Sequence, residues 1–298
     1  MMNCELYFSQ LRSEIEEKLN FYTDYTTNIY QAPVMEAMRY SLLGGGKRIR
    51  AVLALEFCTA FGADREIAFP AACALEMVHA YSLIHDDLPC MDDDDMRRGK
   101  PTNHKQFGEA LAVLAGDGLL TLAFETLSRD DTVSALGAKK SIELVKCLSF
   151  SSGEYGMLGG QVIDVLNEGN SLSDEIHSKM VSMKTGALIK AAVHCGCISA
   201  GADKEKTLKA LKYAELVGRA FQITDDILDV VGDSAVLGKN VGSDERENKV
   251  TFVSLYGIER AKWMADECYN AALDIIKELI PENEFLPWLT GLLAQRNY

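Results

Sequence analysis

Ala72-Cys73-Ala74-Leu75-Glu76-Met77-Val78-His79-Ala80-Tyr81-Ser82-Leu83-Ile84-His85-Asp86-Asp87 is an apolar helical run that ends on carboxylates. The next residues, Leu88-Pro89-Cys90-Met91-Asp92-Asp93-Asp94-Asp95-Met96-Arg97-Arg98-Gly99-Lys100, bring the count to six carboxylates within ten positions and close on a cationic tail. Carboxylates this dense oppose one another's ionisation unless a cation neutralises them. Hard cations such as Mg2+ take oxygen ligands and fill the rest of their shell with water or phosphate. Arg97 and Arg98 carry forked donors suited to phosphate. A charge run is ordinarily a solvated loop, but here an apolar helix delivers it to the interior.

A second acidic group repeats the setting: Phe221-Gln222-Ile223-Thr224-Asp225-Asp226-Ile227-Leu228-Asp229. At about 100° per residue, Asp225 and Asp229 lie within about 40° of each other, and Gln222 one turn earlier shares their face. The other positions of this helix are largely apolar, and buried carboxylates are costly unless paired or metal-bound. Two such groups, far apart in sequence, suggest opposing walls of one cavity.

Outward from these stretches the chain reads as all-α. Six prolines occur in 298 residues, with none between Pro101 and Pro281, and no run alternates as a strand does. The periodicity predicts helices over 3–22, 33–43, 47–61, 66–91 (broken by Pro89), 105–115, 117–129, 132–152, 153–167, 174–184, 185–199, 204–233, 248–256, 258–279 and 283–295. Leu6, Phe8, Leu11, Ile15 and Leu19 form one stripe on the first helix. No linker divides the chain, so one domain over 1–298 is expected, a helical bundle with a central cavity.

A net charge of −14 argues against nucleic acid and against an anionic membrane surface. Eight scattered cysteines form no disulfide framework and favour a reducing compartment. The N-terminus lacks the pattern of a signal peptide. The longest apolar stretch, Ala110 to Phe124, is interrupted by Asp117 and reads as too short to span a bilayer. A cytoplasmic protein is expected.

An anionic substrate then needs local cations. Gly44-Gly45-Gly46-Lys47-Arg48-Ile49-Arg50 places glycines, Lys47 and Arg50 at a helix start, where free N–H groups and the helix dipole favour phosphate. The spacing is not that of a Walker motif. Taken alone, the stretch would read as a glycine-bearing cap with exposed basic residues. His79, two turns before Asp86, faces the same way, although a lone histidine on an apolar helix is more often a core residue. Lys184-Thr185-Gly186 and Gly238-Lys239 add single cations, and Gln161 and Asp164 are polar positions in an otherwise apolar helix.

Taken together, Gly-Gly-Lys-Arg-x-Arg (45–50), Asp-Asp-x4-Asp with Arg-Arg-Gly-Lys-Pro-Thr (86–102), Lys-Thr-Gly (184–186), Phe-Gln-x-x-Asp-Asp-x-x-Asp (221–229) and Gly-Lys (238–239) resemble the trans-isoprenyl diphosphate synthases of the bacterial type. The resemblance covers nearly the whole chain in the family's order. It implies the all-α isoprenoid synthase fold, a homodimer and three Mg2+ ions. The implied reaction condenses dimethylallyl and geranyl diphosphates with isopentenyl diphosphate to give farnesyl diphosphate. Carried over residue by residue, Asp86 and Asp92 hold two ions and Asp225 the third, with Asp87, Asp226 and Asp229 in support. Arg97, Lys184 and Lys239 grip the allylic diphosphate, with Thr185 and Gln222 nearby. Gly45, Lys47, Arg50, His79 and Arg98 hold isopentenyl diphosphate, and Arg296 in the C-terminal tail closes over substrate. Tyr81 and Ser82, five and four residues before Asp86, set chain length. A geranylgeranyl synthase shares these motifs. A terpene cyclase would lack the Lys47, Arg50 and His79 set, and a non-catalytic subunit would lose an aspartate motif.

Overall fold

Helix α1 (Cys4–Tyr22) starts where the Asn3 side chain accepts a hydrogen bond from the Leu6 amide, and it buries Leu11, Ile15 and Leu19 at four-residue spacing. Leu6 is exposed, contrary to the expected stripe, because five residues before Leu11 falls on another face; Tyr7, four before, packs instead. The protein is seen in a computed structural model that describes residues 2–25, 29–167, 172–231 and 250–294.

Next come α2 (Ala32–Leu42) and α3 (Ile49–Ala60), then a single 3-10 turn at Arg65–Ala68 leads into α4 (Phe69–Asp86). Helix α4 is buried from Phe69 to Val78, as expected of a helix apolar all round. It packs against α3, α6 (Glu109–Ser128) and α11 (Ala187–Ala200), so the acidic stretch begins at the end of the bundle's central rod. Between α4 and α6 lie a two-residue ladder, β1 (Met96–Arg97) with β2 (Lys100–Pro101), and the short α5 (Asn103–Phe107). The ladder is too short to leave an alternating pattern in sequence.

Helix α6 runs unbroken through Asp117, where two helices were expected, because one helical polar residue does not interrupt backbone hydrogen bonding. Its length and composition, like those of the Arg65–Asp86 segment, are therefore sufficient to cross a bilayer, which corrects the reading of Ala110 to Phe124 as too short. The α4 window is 72% buried within the protein and the α6 window 39%. The expected helix over 132–152 is two, α7 (Asp130–Leu136) and α8 (Ala138–Ser152), divided at Gly137. Then follow α9 (Met157–Leu166), α10 (Asp174–Val181), a π turn at Ser182–Gly186, α11 and the long α12 (Lys204–Val231). After residues 232–249 come α13 (Phe252–Tyr256), α14 (Ile258–Leu279) and α15 (Phe285–Ala294). All-α architecture with a cleft beside the central helix is as expected.

The start of α3 is fixed by Arg48, at φ 55°, whose buried guanidinium bonds Glu16 (2.7 Å), Glu76 (3.3 Å) and the Leu42 carbonyl (2.6 Å). Glu76 also accepts from the Ala51 amide, so this knot ties α1, α3 and α4 together. Breaking a buried pair strands the partner charge. Arg48→Ala is expected to cost about 3–5 kcal/mol, read as a lower urea midpoint, whereas Arg48→Met should cost less.

Candidate functional site

Helix α4 stops at Asp86, three residues before a proline that cannot continue the hydrogen-bond ladder, short of the expected end at 91. The Leu88 amide turns back to the His85 carbonyl, and Asp93 adopts φ 49°. This loop returns the chain so that the Asp92 amide donates to the Asp86 carbonyl at 2.9 Å. A six-residue offset on a regular helix would have separated these residues; the loop brings them together as expected.

The two aspartates at the end of α4 face different cavities. Asp86 lines a cleft of about 450 Å3 with Arg50, His79, Tyr81, Ser82, Lys184 and Thr185. Burial pushes its carboxyl up to about 6; Lys184 opposes the shift, and Asp92 adds to it. Asp87 faces a second pocket shared with His79, Arg97 and Arg98. It is buried, and Arg97 Nε donates to both its oxygens at 2.7 and 2.9 Å. Burial raises the Asp87 carboxyl while Arg97 restrains it. Arg97 also reaches Asp94 at 3.5 Å. Thus Arg97, expected at a diphosphate, rests here on carboxylates.

Lys184 does the same. On the π turn, its Nζ meets Asp164 Oδ2 at 2.5 Å. Gly160 makes this possible: a Cβ there would lie 2.2 Å from the Lys184 backbone nitrogen, so only glycine lets α9 approach the turn. Asp164, one helical turn further on, then reaches the lysine. Gln161 lines the cleft, and its buried Oε1 has no hydrogen-bond partner.

Thr185 connects the walls. It lines the cleft with Asp86 and donates to Gln222 Oε1 on α12 at 2.7 Å. Gln222 in turn donates to Asp226 Oδ1 at 2.8 Å, and Asp226 Oδ2 accepts from the Phe252 amide at 2.7 Å. Gln222 is therefore paired with Asp226, four residues on, rather than acting with Asp225 and Asp229. Asp226 and Asp229 are buried, and Asp225 is half-buried. Lys184, Thr185, Gln222, Asp226 and Asp164 border a smaller pocket that shares Lys184 and Thr185 with the main cleft.

His79 lines both the main cleft and the Asp87 pocket. Burial holds its imidazole well below the usual histidine range, and Arg50 and Arg98 deepen the effect, so it is neutral near pH 7. The Arg98 guanidinium bonds the Gly45 carbonyl and packs on Gly46. Lys47 is half-buried before α3, which begins two residues later than expected. Lys239, Gly238 and Arg296 lie outside the described residues.

Most of the cleft's exposed lining is apolar, contributed by residues such as Leu83, Leu88, Val113, Met157, Leu158 and Leu188. Tyr81 borders it; burial pushes the phenol up to about 12, so the ring is uncharged. Ser82 lines it too and donates to the His79 carbonyl at 3.0 Å. Sequence reasoning missed His85. Its Nε2 lies 3.1 Å from the Val113 carbonyl, and its ring meets Tyr81 edge-on at 5.8 Å. Only Gly116 leaves room for that ring, since a Cβ there would sit 2.0 Å from Nε2. A glycine inside an apolar helix was the available signal.

Among the described residues, no three His, Cys, Asp or Glu side chains are gathered into a ready-made cation cage. The donors still fit Mg2+, which is held by one or two carboxylates with water and phosphate completing its shell. Burial is the first cause of the raised Asp86 carboxyl and the charge of Asp92 adds to it, a setting in which a nearby cation would favour the ionised form.

The family model for polyprenyl synthetase matches residues 31–280. The chain is 45% identical to a farnesyl diphosphate synthase of Escherichia coli over 269 residues, covering 89% of this chain and 90% of that protein. It is 43% identical over 266 residues to a chloroplastic geranylgeranyl pyrophosphate synthase of Catharanthus roseus, covering 89% of this chain and 72% of that one. Among solved structures, an apo FPP/GFPP synthase of Zymomonas mobilis superposes with a TM-score of 0.87 at 35% identity, covering 98% of this chain and 99% of that one.

Proposed function

Because the chain belongs to the polyprenyl synthetase family, we propose that it is a head-to-tail prenyltransferase. It extends dimethylallyl and geranyl diphosphates with isopentenyl diphosphate and stops at farnesyl diphosphate. The observation that carries this reading is the cleft itself, which charged Asp86 and Lys184 line together with Tyr81 and the apolar Leu83, Val113, Met157 and Leu188. Its charged residues suit a diphosphate, and its apolar ones suit a prenyl tail.

Asp86 and Asp92 would hold Mg2+ from α4 and Asp225 would hold it from α12, three ions in all with substrate bound. Mg2+ supplies positive charge that makes diphosphate a better leaving group. Lys184 and Arg97 turn from Asp164 and Asp87 onto the allylic diphosphate, and Lys239 joins them. These cations bind more tightly as charge develops on the leaving oxygen, which lowers the barrier. Thr185 and Gln222 steady that wall through their hydrogen bond. Gly45, Lys47, Arg50, His79 and Arg98 hold isopentenyl diphosphate, so its double bond attacks the allylic cation. The released diphosphate takes the final proton.

The Tyr81 ring closes the cavity floor, with Ser82 beside it, and favours farnesyl over the longer product. The whole chain, 1–298, is one synthase domain. We place it in the cytoplasm on its eight free thiols. Exposed Val113, Leu114, Phe150 and Tyr155 favour a homodimer that covers them.

The test is incubation of the purified chain with dimethylallyl and isopentenyl diphosphates and Mg2+, with products identified by mass. Farnesyl diphosphate is expected. A cyclised hydrocarbon formed without consuming isopentenyl diphosphate would overturn the reading.

A further inference from the structure

Away from the cleft, α8 and α11 bring two thiols and an imidazole together. Cys195 Sγ donates to Cys147 Sγ across 3.9 Å, and Cys147 Sγ lies 3.4 Å from His194 Nδ1. Both thiols are buried, at 8% exposure for Cys147 and 1% for Cys195, while His194 is half-buried and opens the group toward solvent. No part of the prenyl-transfer mechanism uses them. From this juxtaposition we propose that Cys147 and Cys195 are a peroxide-reactive thiol pair that closes to a disulfide between α8 and α11.

The chemistry follows from the contacts. A thiolate is the nucleophile, and a neighbouring donor or imidazolium favours it. The hydrogen bond from Cys195, with His194 beside it, holds Cys147 below the usual thiol range. The Cys147 thiolate attacks one peroxide oxygen; the O–O bond breaks, and the departing hydroxide takes a proton to become water. Cys147 is left as a sulfenic acid. The Cys195 sulfur, already in contact, attacks the sulfenic sulfur; the S–S bond forms, the S–O bond breaks, and the hydroxyl leaves with the Cys195 proton as a second water. Two thiols lose two electrons, and one hydrogen peroxide is reduced to two waters. Closure shortens the separation of the sulfurs from 3.9 Å to a bond of roughly 2.05 Å.

The competing thiol is Cys90, exposed on the loop after α4. Burial alone predicts that Cys90 oxidises first; the contacts predict that the buried pair does. The full-length native chain is treated with stoichiometric hydrogen peroxide, alkylated, digested without reduction and analysed by mass spectrometry. The expected result is a linked Cys147–Cys195 peptide pair, lighter by about two mass units than the separate peptides, formed several-fold faster than any adduct at Cys90 and reversed by dithiothreitol. Cys195→Ser should leave a Cys147 sulfenic acid that dimedone traps, and Cys90→Ser should leave the rate of pairing unchanged. Oxidation at Cys90 with both buried thiols still alkylatable after unfolding would overturn the proposal. So would a Cys147 sulfinic acid in wild type without the linked peptides.

Discussion

Asp86→Asn is expected to lower the rate of prenyl transfer about a thousandfold while making the ligand-free protein more stable. The two effects have one cause. Asp86 stands in a half-buried position where burial and Asp92 oppose its charge, and its carboxyl is raised from 3.8 to about 6. A carboxyl with a raised folded-state pKa contributes stability that is fully present below its unfolded value and lost as the pH climbs through about 6. Wild type therefore carries the penalty above that pH, and the asparagine variant does not. The variant should be about 1–2 kcal/mol more stable at pH 8 after allowing for solvent at the site. The difference should shrink toward zero between pH 6 and pH 4. Urea titrations across this range check the stability, and a steady-state assay checks the rate. A variant less stable than wild type at pH 8 would show that Asp86 is satisfied without a cation.

The second large effect is on product rather than rate. Tyr81→Ala removes a ring that borders the apolar cavity and stands edge-on to His85. If the prenyl tail occupies this cleft as proposed, the space left admits a longer chain, so geranylgeranyl or longer products should become the majority. Chromatography of the dephosphorylated products reads the shift directly. Some stability is lost with the contacts, about 2 kcal/mol for a half-buried aromatic, but ionisation should persist because Asp86 and Lys184 are untouched. Unchanged farnesyl product would remove Tyr81 from the floor of the cavity.

Much of this was legible in the sequence because the relevant physics is local. The run from Phe69 to Val78 has no polar face wide enough for a surface helix, so its place at the centre of the bundle follows from composition. The six carboxylates after it demand a cation wherever the chain puts them. Other features depend on contacts that no window of sequence contains. Asp117 looked like a helix break, yet α6 continues through it. The pairing of Gln222 with Asp226 is selected by the Phe252 amide, which fixes Asp226 from a helix more than twenty residues away. Arg97 pairs with Asp87 and Lys184 with Asp164, carboxylates ten and twenty residues away in the chain, so neither pairing shows in a local window. His85 was overlooked because its role depends on Gly116, a position whose only signal is a missing side chain.

The central claim is that the acidic segments of α4 and α12 form one site bridged by divalent cations and diphosphate. Calorimetric titration of pyrophosphate in the presence of Mg2+ tests it on wild type, Asp86→Asn, Asp225→Asn and the double variant. A shared site predicts that each single change weakens binding at least tenfold and that the double change adds little more, with a coupling energy of about 1–3 kcal/mol. Losses that multiply, or a single variant that binds as wild type does, would contradict it.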